Sequence, residues 1–142
     1  MEIKERLVQI RSMKIKLYEM ELTLAETRDR AIGQGSPSID KLNIMTSLPA
    51  DPMAEAIIEY SDMIDDYYVL KREYDKHKSY ALRILKQYAS NQDALTMLVM
   101  RYFDNCSFGQ IGKRFGLDYH KAQSQVRWEL KQINKKISQR GT

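Results

Sequence analysis

Few side chains in this sequence are placed to do covalent or metal chemistry. His77 and His120 stand 43 residues apart, and neither has a second His or Cys at metal-ligand spacing, so no metal site and no cofactor is expected. Cys106 is the single cysteine, which excludes an intramolecular disulfide and a cysteine zinc cluster. It stands beside an expected helix N-terminus, but no His or Asp is spaced to activate it. Asp62, Asp65 and Asp66 crowd one helix without a His or a basic pocket and read as a solvated face, not a nuclease centre. Gly33-Gln34-Gly35 lacks the Lys-Ser/Thr and the preceding strand of a phosphate loop. The sequence therefore predicts no enzyme.

What remains is binding chemistry, concentrated in residues 107–133, SFGQIGKRFGLDYHKAQSQVRWELKQI. A short helix, a turn holding a glycine and a longer basic helix make a helix-turn-helix pattern. Gly112 lets the two helices approach, Ile111, Phe115 and Leu117 surround the turn, and Gly116 permits the reversal. On the last helix Ala122, Val126, Leu130, Ile133 and Ile137 form one apolar stripe. At 100° per residue the opposite face carries His120, Lys121, Ser124, Arg127, Lys131 and Lys135, with no acid among them. Tyr119, His120, Lys121, Gln123 and Ser124, near the helix start, are placed to reach base edges; Gln123 can pair with adenine. Ser107, Lys113, Arg114, Arg127 and Lys131 are the candidates for phosphates. Trp128 falls at the edge of this face and is expected to pack against the hairpin or a partner, not to stack on bases.

Charge singles out the same region. Of the net +4, residues 1–90 contribute −1, from 14 Lys/Arg and 15 Asp/Glu; residues 91–142 contribute +5, from 9 and 4. A polyanion partner is expected for the last third.

The elements that position these residues are helical throughout. With 142 residues, 43% apolar and 30% charged, the chain suffices for one modest domain or two small helical units, and six glycines and three prolines leave helix dominant. Ile3, Leu7, Ile10, Met13, Leu17, Met20 and Leu24 recur at spacings of three and four, an amphipathic helix that should run to about Ile32. Some 30 residues make a rod roughly 45 Å long, too long for a domain of this size to cover, so the stripe is assigned to self-association. Residues 33–52 are expected to form an ordered crossover, with Asp51 able to cap a second long helix that starts at Pro52. Ile57, Ile58, Ile64, Tyr67, Tyr68, Tyr74, Ala81, Leu82, Leu85 and Tyr88 would form its apolar band, ending near Ser90. Its tyrosines read as interface packing, not as a stacking platform. Asn91 caps the next helix, Asp104-Asn105 turns the chain, Ser107 and Gln110 have capping-box spacing, and Asp118 caps the last helix. The expected fold is all-α: a long, coiled-coil-like antiparallel hairpin over 1–90, then a helix-turn-helix domain over 91–142.

The stretch 107–133 resembles region four of sigma-70 family factors, which joins an I-G-x-x-F/L-G-hydrophobic turn to a recognition helix. LTMLVMRYFDN, residues 95–105, resembles the helix leading into that domain. The whole layout is similar to phage-encoded, sigma-like transcriptional regulators of the ArpU/RinA type, with motif-grade similarity over about 45 residues. One departure is Gln125, where region four carries an apolar residue three after Ala122; Val126 takes the core role one step later, which shifts the base-reading register.

The resemblance implies a regulator of phage or prophage genes that binds double-stranded DNA, with RNA polymerase as a further partner; the uncovered stripe of the first helix adds the expectation of a homodimer or higher oligomer. The alternative it leaves open is a helical adaptor that binds polymerase or another protein as a sigma mimic; a structural coiled-coil protein of the phage particle is a third. No apolar run approaches a membrane span, and Met1 leads into Glu2, Lys4, Glu5 and Arg6 instead of a signal-peptide core, so a cytoplasmic place in a bacterial host is expected.

Overall fold

The computed structural model describes residues 2–32 and 52–140; the crossover over 33–51 and the Asp51 cap lie outside them. Among the described residues the fold is all-α, with five helices and no strand. They are α1 (Ile3–Ile32), α2 (Pro52–Tyr88), α3 (Gln92–Tyr102), α4 (Phe108–Phe115) and α5 (Tyr119–Arg140). The long helices form an antiparallel hairpin and the last two a helix-turn-helix.

Two compact units divide the chain: Met1–Ile15 with Glu73–Thr142, and Lys16–Arg72. The division falls inside the long helices, not at residue 90, because the start of α1 and the end of α2 pack with the three C-terminal helices.

In the Lys16–Arg72 unit the partners run in opposite directions along α1 and α2. Tyr67 donates its hydroxyl to Glu21 at 2.7 Å, the buried Thr27 hydroxyl points at Met63 Sδ at 3.6 Å, and Arg30 reaches Glu59 at 3.8 Å. That last pair is more than half exposed on both sides and contributes little.

The other unit holds most of the core: Ile3, Leu7, Ile10, Tyr74, Ala81, Leu85, Leu98, Ile111, Ala122, Val126 and Ile133 are all buried. Local chemistry sets its element boundaries. Asn91 Oδ1 accepts from Ala94 N at 2.8 Å, and Asp118 Oδ1 from Lys121 N at 2.8 Å. Ser107 and Gln110 close a reciprocal capping box at 3.1 and 2.8 Å. Asn105, after Asp104, takes a left-handed φ of 56°, as the expected turn requires.

The structure corrects two expectations about apolar faces. Ile3, Leu7, Ile10 and Leu17, assigned to self-association, are buried within the chain, and Met13, Met20 and Leu24 are half-buried. Periodicity reveals a stripe but not what covers it; here the α1 start is engaged by later elements. Its Ile3 N–H points at Asn134 Oδ1 at 3.4 Å, Arg6 meets His77 Nδ1 at 3.3 Å, and Arg11 Nε donates to the Arg101 carbonyl at 3.2 Å. On α2, Ile58 and Tyr68 are exposed because the buried line runs through Ala56, Tyr74, Ala81 and Leu85, leaving them off its face.

Candidate nucleic-acid interface

The helix-turn-helix is built around one tight approach. Gly112, buried in α4, lies where a Cβ would overlap the Leu117 carbonyl oxygen and come within 3.3 Å of Asp118 O. The Gly112 carbonyl accepts both the Gly116 N–H and, at 2.8 Å, the Leu117 N–H, and Gly116 completes the reversal at φ 70°. Ile111 is fully buried beside the turn and Phe115 and Leu117 are half-buried. The turn delivers Asp118 as the cap of α5.

From that cap α5 buries Ala122, Val126, Leu130 and Ile133, with Ile137 half-buried. Val126 is in the core and Gln125 in solvent, as the shifted register requires. A further inward residue escaped the sequence reading: Glu129 is 2% exposed, and its Oε1 accepts the Ser90 N–H at 2.8 Å. It is the only acid between Tyr119 and Arg140. Its inward position leaves the exposed surface of this helix basic or neutral along its whole length. The signal was available, since Glu129 lies between Val126 and Ile133 on the stripe, but a carboxylate there gives no sequence hint of the backbone N–H that meets its Oε1; its Oε2 is buried without a hydrogen-bond partner among the described residues.

The expected DNA-facing residues fall on two flanks. His120, Lys121, Ser124 and Gln125 line an open hollow of about 860 Å³ together with Leu117, Asp118 and Trp128. Trp128, set aside on sequence grounds, is half exposed at this surface, one turn after Ser124. Gln123 is half-buried and lies on the other flank, so the base-reading set does not share one surface. Tyr119 is half exposed but its ring is held edge-on against Phe108 at 5.7 Å and His120 at 5.5 Å. Ser107 is exposed, although its side chain is engaged in the capping box; Lys113, Arg114, Lys131 and Lys135 are exposed.

The second flank is a groove of about 430 Å³, into which Gln123 and Arg127 of α5, Arg101 of α3, and Lys4 and Arg11 of α1 converge. The Arg101 guanidinium lies 3.9 Å above the Phe108 ring and donates to the Cys106 carbonyl at 3.3 Å. Burial, then the Arg11 charge, lowers the Arg101 pKa from the ordinary guanidinium value. Burial raises that of Tyr102 at the groove wall, against the opposing pull of Arg101, Arg11 and Arg127.

Among the described residues no group of three or more His, Cys, Asp or Glu could hold a metal ion, and no helix is long and apolar enough to cross a membrane. No protein-family model, curated protein or solved structure matches the chain.

Proposed function

We propose that the chain is a DNA-binding transcriptional regulator that lays the first turns of α5 in the major groove. The observation carrying this reading is the surface of α5: Lys121, Arg127, Lys131 and Lys135 lie outward while Glu129 is turned into the core. Such a surface suits a polyanion, and the Gly112 turn braces the helix as groove entry requires. Lys121, Ser124 and His120 are the residues for base edges, with Gln125 and Trp128 at the same hollow and Arg127 and Lys131 for phosphates. The sigma-like resemblance suggests phage or prophage genes as the regulated set.

The test is duplex binding by the full chain. Lys121→Ala and Arg127→Ala are expected to weaken it without unfolding the protein, and Arg127→Ala to reduce the slope of log K against log salt by about 0.9. Selection from a random duplex pool is expected to recover a motif. Affinity and slope unchanged in both variants would overturn the assignment.

Trp128 favours a second reading, a protein adaptor that holds RNA polymerase, because a half-exposed indole beside Leu117 offers an apolar anchor. Polymerase retention that Trp128→Ala abolishes, with no duplex binding by the wild type, would select it.

A further inference from the structure

Four cations from three helices, Lys4 and Arg11 of α1, Arg101 of α3 and Arg127 of α5, line the groove beside the recognition helix, and its lining includes no carboxylate. None of the four is ion-paired among the described residues. Their polar contacts instead leave charge unneutralised. Arg11 Nε donates to the Arg101 carbonyl at 3.2 Å, one Arg101 amino group donates to the Cys106 carbonyl, and Arg101 Nε is buried without a hydrogen-bond partner. Like charges gathered without counterions repel one another, and a buried donor without an acceptor is costly. An anion in the groove relieves that repulsion.

The groove is also continuous with the surface of α5. Arg127 lines it and the neighbouring hollow, which Lys4 shares with Lys131 and Asn134; Glu2 stands in that second hollow, outside the groove itself. A single small anion would use part of this line, whereas a sugar-phosphate backbone presents charges in series along it.

We infer that Lys4 and Arg11 of the amino-terminal helix, with Arg101 and Arg127, form a phosphate cradle that grips one backbone of the duplex whose major groove receives α5. The inference rests on the DNA-binding reading above and extends it to α1, a helix the sequence pattern assigned to self-association. It explains why a helix start rich in charge is held against the recognition helix.

The experiment measures the affinity of the full chain for a random-sequence duplex across a salt series, so that base-specific contacts do not enter. Lys4→Gln with Arg11→Gln is expected to reduce the slope of log K against log salt by about 1.8, one phosphate for each lost cation. Ser12→Lys, an exposed position on the same lining, is expected to raise it by about 0.9, and this gain does not depend on the double variant folding. Wild-type binding with an unchanged slope in both variants overturns the cradle and leaves the DNA reading standing; a groove serving an acidic protein segment gives that result. A wild type that binds no duplex overturns both.

Discussion

Replacing Gly112 by alanine separates what this turn requires from what helices in general prefer. By intrinsic propensity alone, alanine in the interior of α4 would stabilise the chain by about 1 kcal/mol. The structure reverses the sign. The added methyl meets the Leu117 carbonyl oxygen, and behind it the Leu117 carbon at 3.2 Å and Asp118 O at 3.3 Å; these are backbone atoms, which cannot rotate aside as a side-chain end would. The turn must shift, at about 1–3 kcal/mol for overpacking, and the shift strains two N–H bonds to the Gly112 carbonyl, worth about 1 kcal/mol each. Set against the propensity gain, Gly112→Ala is expected to destabilise by about 2 kcal/mol. Gly109→Ala is the internal control: its Cβ meets Ser107 Oγ at an ordinary 3.7 Å, so it is expected to stabilise by about 0.5–1 kcal/mol. Urea unfolding followed by far-ultraviolet circular dichroism measures both variants. In the DNA reading Gly112→Ala also weakens duplex binding under conditions where the variant is fully folded, because the shifted turn re-aims α5. A Gly112→Ala protein as stable as the Gly109→Ala protein would refute the reasoning.

Leu7→Ala and Ile10→Ala remove side chains with no exposed surface and are expected to cost about 2–5 kcal/mol in unfolding while leaving the sedimentation coefficient of the folded protein unchanged; dissociation of an assembly at unchanged stability would contradict their burial within the chain. Glu129→Ala removes the acceptor of the part-buried Ser90 N–H, a bond worth about 1 kcal/mol, and is expected to destabilise by no more than that without tightening duplex binding. A carboxylate standing on the DNA-facing surface would instead tighten binding on removal, so tighter binding by this variant contradicts its inward position.

Local signals were the most legible part of this chain. The Asn91 and Asp118 caps, the Ser107–Gln110 box and the left-handed Gly116 each depend on residues within a few positions of one another, and each has the expected geometry. The all-α character and the hairpin followed from the periodicity of α1 and α2, because a stripe at three-and-four spacing needs one extended element to face another. Longer-range matters were not legible. The stripe through Leu7 and Ile10 looks the same whether a second chain or this one covers it. Gln123 and Ser124 are adjacent in sequence, yet the rotation of α5 in its core sends them to different flanks. Trp128 illustrates the same limit, since its place beside Leu117 depends on how the turn meets the helix. The groove cations Lys4, Arg11 and Arg101 come from segments too distant in sequence for spacing to associate them with Arg127.

The contacts around Tyr88 and Ser90 have a mechanical consequence. Glu129 holds the Ser90 N–H, Lys136 donates to the Tyr88 carbonyl at 3.0 Å and Arg140 to the Tyr88 hydroxyl at 3.2 Å, so the rear half of α5 is clamped to the chain where α2 ends. The helix start at Tyr119 projects ten residues ahead of Glu129, about 15 Å at 1.5 Å per residue. A pivot of about 10° at the clamp would sweep that tip through ~2.6 Å, close to the length of a hydrogen bond. In a DNA-reading protein the aim of the helix is then set at its base as well as at the Gly112 turn, and its accuracy over a nucleotide depends in part on a joint far behind the tip.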